Sequence, residues 1–357
     1  MNITFILGNG FDLNLNLQTD YKSFYNFYIG LPNKGKYSAS IAKLKEGLNS
    51  YITQASKSAT DIESIDWSDL EIGLGQYVKE ISSEEEYEAV YYDIRNSLGR
   101  YLKIQEDRLI SMPPVDIHSF YLNLTDLEIF LLPVDVPILQ NLKERRGPNK
   151  YYIRILTFNY TKTFEHILGS NKSYVLPGDI KAFVSEVRHI HRQIDQLILG
   201  VNDISQINNS ALLNNDFVKE TLIKPSHCST YGDNHSSQCL EYINQADLVV
   251  LYGVSIGDTD RKWWEAIANR IRTDRLCSII IFWYGHNAEN YDTDGPRRTR
   301  EERKVREKLM TKMRLSRDEK SVLEHRIFVH LIRNDKRIFD FPRLPDSYDS
   351  LVVDLEI

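Results

Sequence analysis

Short apolar runs, rich in β-branched and aromatic residues and too short for helices, punctuate this chain at long intervals. The first is Ile3-Thr4-Phe5-Ile6-Leu7, which stops at Gly8-Asn9-Gly10. A run of this kind reads as a strand buried on both faces of a parallel sheet. The two glycines let the chain turn sharply, and a helix after the turn would bring backbone N–H groups to where a phosphate can sit. The third position of the dinucleotide fingerprint is Leu13 rather than Gly or Ala, so the turn alone names no ligand.

The pattern then changes period. Tyr21, Phe24, Tyr25, Phe27 and Tyr28 recur at helical spacing, which predicts a helix within 13–30 that packs aromatic rings into a core. From 31 to 150 no parallel-strand run appears, and the stretches 39–52, 68–81, 84–105 and 124–145 read as helices. A mostly helical insertion is expected here, ended by Arg146-Gly147-Pro148-Asn149. Within it, Ser68 reads as an N-cap, with Glu71 completing a capping box behind Trp67.

Strand and helix alternate again from Tyr151. Ile153-Arg154-Ile155-Leu156-Thr157 predicts a strand, and Phe158-Asn159-Tyr160-Thr161 leads into a helix from Thr163. Val187-Arg188-His189-Ile190-His191 alternates with period two, which puts His189 and His191 on one side of a strand. Gln196–Val201 is another apolar run, ending in Asn202-Asp203. Asp247–Val254 is the strongest buried strand, and Ser255-Ile256-Gly257-Asp258-Thr259-Asp260 after it can cap a helix reaching about Arg272. Ser278–Tyr284 and Arg326–Ile332 complete the set.

These alternations predict an α/β fold with a parallel sheet and right-handed crossovers. The α/β core is assigned to 1–30 and 151–357, with the helical insertion at 31–150. Ligands of such sheets gather beyond the C-terminal strand ends. There the chain carries Gly8, Asn9, Gly10, Phe11 and Asp12, then Asn159, Asn202 and Asp203, then Ser255, Gly257 and Asp258. Several strand ends bearing Asn, Asp, Ser and Gly predict a nucleotide-sized pocket.

Charge alters this picture at one place. The segment 297–320 is dense in Arg and Lys, but Val305, Leu309 and Met313 form an apolar stripe, and Glu301, Glu302, Glu307 and Asp318 lie among the cations. It reads as a solvated crossover helix, with a basic face for nucleic acid as the alternative. The net charge of −6 opposes a surface built as a whole for nucleic acid. Charged residues at 26% and apolar residues at 42% are ordinary for a water-soluble domain, and no apolar run is long enough to span a bilayer. Cys228, Cys239 and Cys277 offer neither a disulfide framework nor a four-thiolate zinc site, and no cleavable signal is expected from the opening residues, which read at once as a strand. The expectation is a cytoplasmic protein, with no metal.

Several motifs taken together resemble the AbiH family of bacterial phage abortive-infection proteins. They are ILGNGFDLNLNLQTDYKSF at the start, WSDLE at Trp67–Glu71, TFNYT at Thr157–Thr161, HIHRQ with LILGVND, and YGVSIGDTD ending at Asp260. Their order carries the resemblance over about three quarters of the chain. More distantly, the same motifs are similar to the Rossmann-like, sirtuin-like NAD-binding fold of anti-phage NAD hydrolases. That similarity implies Asn159 and His191 as the catalytic pair. It also implies Gly8, Asn9, Gly10, Phe11, Asp12, Asn202, Asp203, Ser255 and Asp258 as nucleotide-binding residues, with NAD as substrate. Arg192 stands where that pattern carries Gly, either blocking the cofactor or adding a phosphate contact. The four-cysteine zinc module of the protein deacylases is absent, which argues against deacetylation.

On this reading the nicotinamide–ribose bond is cleaved through a cation-like ribosyl centre. Asn159 orients a water or ribose hydroxyl, His191 accepts the proton, and Asp203 or Asp258 holds ribose hydroxyls. Two other classes stay open. One is a metal-dependent nuclease using His189, His191 and Asp203. The other is a nucleotide-binding sensor without turnover that answers a phage-derived trigger, with homo-oligomers possible in either case.

Overall fold

The computed structural model describes residues 1–58, 67–147, 149–207, 212–284, 294–332 and 338–345. Among the described residues eight strands form one sheet: β1 (Asn2–Leu7), β2 (Lys150–Thr157), β3 (Ser173–Leu176), β4 (Ile180–Val184), β5 (Arg188–His189), β6 (Leu248–Tyr252), β7 (Ser278–Tyr284) and β8 (Ile327–Ile332). Their order is β3-β4-β2-β1-β6-β7-β8, with β5 continuing beside β2. Every pairing is parallel except β3 with β4. Central β1 aligns Ile3 with Ile153 on one side and with Leu248 on the other.

Alternation along β1 explains its continuous apolar character. Ile3, Phe5 and Leu7 enter a core with Phe120, Tyr121, Phe164 and Phe339. Ile6 faces the opposite core, formed by Leu156, Leu251, Trp264, Ile267 and Leu309. Both faces are covered by helices, so neither tolerates a polar stripe. Thr4 is buried as well, and its hydroxyl donates to the Tyr242 carbonyl at 2.7 Å.

The stretch 31–150 divides between two cores. The helices Ser38–Ser58, Trp67–Tyr77 and Glu84–Asp107 join Tyr21–Gly30 in a separate core that includes Tyr28, Tyr87, Tyr91 and Leu98. The part that follows packs on the sheet itself through Phe120, Leu124, Leu139 and Leu142. The single helix read over 124–145 is interrupted: Ile117–Thr125 and Val136–Arg146 flank a short turn at Leu127–Phe130. Pro133 has no N–H to donate in that interval, and Pro137 is tolerated because it occupies the first turn of the second helix.

Two other sequence readings are corrected. Val187–His191 is not one strand, because only Arg188–His189 pairs with β2. The chain turns at Arg192, whose amide donates to the His189 carbonyl at 2.9 Å. Gln196–Val201 stays outside the sheet. Leu197, Leu199 and Val201 face the helical core, and the Val201 amide donates to Leu222 at 2.8 Å. Asn202 and Asp203 therefore follow a packed irregular segment, not a sheet strand. The β3–β4 hairpin adds an antiparallel pair to the strands read from the sequence, and Pro177-Gly178-Asp179 between two apolar stretches is its turn signal.

The charged segment forms a helix at Gly295–Lys312, with Val305 and Leu309 buried beside Met313. Its acidic residues pair as read from their spacing: Glu301 with Lys304 at 3.4 Å and Glu302 with Arg298 at 3.6 Å. Among the described residues no helix is long and apolar enough to cross a membrane.

Candidate functional site

The turn after β1 lies directly against the turn after β6. A Cβ on Gly10 would sit 2.5 Å from the Cα of Gly253, and one on Gly8 would overlap the Gly253 carbonyl. Gly253 itself has φ +64°. Here glycine is required for backbone-to-backbone contact. The Gly8 amide donates to Tyr252, Gly10 to Gly253 and Phe11 to Gly8, each at 2.9 Å. Those three amides are thus used within the protein. Asn9 accepts a hydrogen bond from the Thr19 hydroxyl at 2.5 Å, and Phe11 is buried among Phe164, Tyr252, Phe339 and Phe341.

Asp12 joins this turn to the end of β2. Asn159 Nδ2 donates to Asp12 Oδ1 at 2.9 Å, and the Thr161 hydroxyl donates to Oδ2 at 2.5 Å. Burial pushes the Asp12 carboxyl up to about 6, against the hydrogen bonds from Thr161, Thr163 and Asn159. Asn159 does not cap the helix that follows, since Lys162 occupies the cap position of Thr163–Leu168.

The two histidines serve different neighbours. His189 Nδ1 donates to the Asn159 carbonyl at 2.7 Å, and its Nε2 lies 2.7 Å from Glu165 Oε1. His191 Nε2 instead meets Asp260 Oδ1 at 2.8 Å, while its ring packs against Phe158 and Tyr160. A carboxylate at Nε2 keeps the proton of a neutral imidazole there, leaving the lone pair on Nδ1.

Behind Asp260 lies a group the sequence reading missed. Lys224 Nζ donates to Glu71 Oε2 at 2.7 Å and to Asp260 Oδ1 at 3.3 Å. Glu71 and Lys224 are only 3% and 5% exposed. The capping box read from the spacing of Ser68 and Glu71 lies outside the described residues, because the side chains of Trp67 and Ser68 do. Burial alone would raise the Asp260 carboxyl, but Lys224 and His191 outweigh it and hold it well below the usual range. Burial would likewise lower the Lys224 ammonium, yet Asp260 and Glu71 keep it above its ordinary value. For Glu71 burial prevails over Lys224, and the carboxyl is raised. Spacing within one helix could not have revealed partners contributed by three separate elements.

Arg192 occupies its glycine-like position with φ +64°. Its guanidinium contacts both carboxylate oxygens of Asp233 at 2.9 Å and lies 3.7 Å from the Tyr231 ring centroid. The cation is thus tethered to Asp233 and Tyr231.

Of the remaining sequence candidates, Asp258 lines a cleft of about 450 Å³, together with Ile72, Gln76, Ser205, Gln206, Ile207 and Arg261. Asp203 caps the 204–206 turn and meets Arg261 at 3.2 Å. Asn202 donates to Asp203 at 3.1 Å, and Asp258 pairs with Lys312 at 2.7 Å. Ser255 is exposed, and buried Ile256 beside it has φ +56°, an unusual conformation for a β-branched residue. Ile72 and Arg261, on the cleft wall, follow Glu71 and Asp260 in the chain.

Residues 4–283 match a family model described as "Bacteriophage abortive infection AbiH". Among curated proteins no match is found.

Proposed function

This chain belongs to the AbiH family of bacteriophage abortive-infection proteins, and from that premise we propose that it hydrolyses the N-glycosidic bond of NAD or a related nucleotide. The observation that carries this reading is the 2.8 Å contact between His191 and Asp260 beyond the parallel sheet. It supplies an oriented base, and Asp260 is followed in the chain by Arg261, which lines a cleft of about 450 Å³, within the size range of small-ligand sites. The six parallel strands β4-β2-β1-β6-β7-β8 also follow the 3-2-1-4-5-6 order of Rossmann-like dinucleotide folds, whose ligands bind where the order reverses.

In the proposed reaction a water attacks the anomeric carbon of the ribose. The bond to the nicotinamide nitrogen breaks, and its electron pair neutralises the pyridinium. His191 Nδ1 takes the proton of the water, while Asp260 stabilises the imidazolium that forms. Asn159, anchored through one N–H to Asp12, keeps its amide oxygen for the water or a ribose hydroxyl. Asp258 and Arg261 offer polar contacts to the nucleotide from the cleft wall. For the nuclease alternative, His189, His191 and Asp203 are not gathered, among the described residues, into a group that could hold a metal ion.

The test is to incubate the full chain with NAD, with and without phage lysate, and to follow nicotinamide and ADP-ribose by chromatography. Release by wild type that is lost in His191→Ala and Asn159→Ala is the expected result. Release that survives both substitutions moves the site elsewhere. No release in either condition overturns the hydrolase reading.

A further inference from the structure

We propose that Glu71 and Lys224 are positioning residues that set the proton affinity of His191 through Asp260, so that the helical insertion supplies the far end of the site. This rests on reading His191 as the base. The four side chains form one unbroken file: His191 to Asp260 at 2.8 Å, Asp260 to Lys224 at 3.3 Å, and Lys224 to Glu71 at 2.7 Å. They come from four places: the turn after β5, the start of the helix Arg261–Thr273, the helix Lys224–Thr230 and the inserted helix Trp67–Tyr77.

Stability alone does not account for this file. Burying an ammonium between two carboxylates costs desolvation that apolar residues of similar volume would avoid. The charge count suggests a different role. With a neutral imidazole, and with Glu71 ionised in its 2.7 Å ion pair with Lys224, two carboxylates face one ammonium, and the cluster keeps one net negative charge. A proton on His191 balances it. The file therefore favours the state that the base reaches in the reaction, and Glu71 is the charge that makes the count come out so.

Other groups near His191 are engaged elsewhere among the described residues. The Tyr160 hydroxyl donates to the Ile198 carbonyl at 2.8 Å, and Arg95 donates to Leu197 at 2.9 Å. Arg192 is held by Asp233, and Arg261 by Asp203. Asp260, with Lys224 and Glu71 behind it, is the charged file that ends on the imidazole.

The experiment is a histidine NMR titration of the full chain without substrate. The His191 signal, one of nine histidines, is identified by its loss in His191→Gln. Glu71→Gln should lower its midpoint by about one pH unit, and Lys224→Met should raise it by about as much. The double variant restores the net charge and should return close to wild type, which keeps the test decisive if one single variant does not fold. Midpoints that stay put in the folded variants, or a double variant that fails to return, overturn the proposal. The acid limb of kcat/KM for nicotinamide release, followed in parallel, should move with the NMR midpoint. Midpoints that follow the charge count without any nicotinamide release keep the coupling and remove the hydrolase reading. Release with unmoved midpoints does the reverse.

Discussion

Asn159 Nδ2 donates to Asp12 Oδ1 at 2.9 Å across 147 positions of sequence. This single bond joins the turn after β1 to the end of β2. It places a buried carboxyl beside the amide proposed to orient the attacking water. Because Asp12 is fully enclosed, its charge is stabilised by hydrogen bonds instead of solvent, and burial still dominates.

The raised Asp12 carboxyl makes a stability prediction with a definite sign. Its folded value of about 6 exceeds the reference of 3.8, so the native state binds more protons between these limits. The cost of charging Asp12 is absent below about pH 4 and complete above about pH 6. Asp12→Asn should therefore gain on wild type as pH rises from 4 to 7, by up to about 3 kcal/mol. Urea denaturation of both proteins across that range checks it, and a pH-independent difference would contradict it.

Asp260→Asn keeps the size of the side chain but removes the charge that selects the His191 tautomer. Nicotinamide release should fall about 10²- to 10⁴-fold in kcat, with KM changed far less. Steady-state kinetics on the purified variant give both numbers. A loss confined to KM would assign Asp260 to nucleotide binding instead.

Gly253→Ala brings two costs together, a methyl group pressed within 2.6 Å of the Gly10 Cα and a side chain at φ +64°. The variant should lose about 1–3 kcal/mol, since neither backbone can retreat without disturbing β1 or β6. A chemical denaturation midpoint measures this directly.

Arg192→Ala and Arg192→Gly both remove the contacts to Asp233 and Tyr231, so their difference isolates the left-handed backbone. Glycine should be the more stable by about 1 kcal/mol, despite its greater freedom when unfolded. Thermal melts of the pair decide it. Equal stability would show that the turn at 192 relaxes once the side chain is shortened.

The strands were legible because a strand covered on both faces must be apolar throughout, and such runs stand out locally. Ser278–Tyr284 is read to the residue, and Asn2–Leu7 and Leu248–Tyr252 differ only at their ends. Val187–His191 misled because alternation persists for a few residues in an irregular turn that buries Ile190 and His191 from different directions. Gln196–Val201 misled for a related reason: an apolar run reports burial, and here the burial is against helices.

By itself, the sequence determined the α/β character of the chain, the glycine turn after β1 and the amphipathic charged helix, because each is a local pattern of size and polarity. It also contained the motifs that place the chain in its family. Only the tertiary structure decided which carboxylate meets which cation. Glu71 and Lys224 are 153 positions apart, and Asp260 and His191 are 69 apart. Such partners are chosen by strand order and by how the insertion docks, and no periodicity records those. Glu71 fits a capping-box pattern in sequence, and only the structure shows its ion pair with Lys224, the cation that a carboxylate this deeply buried needs.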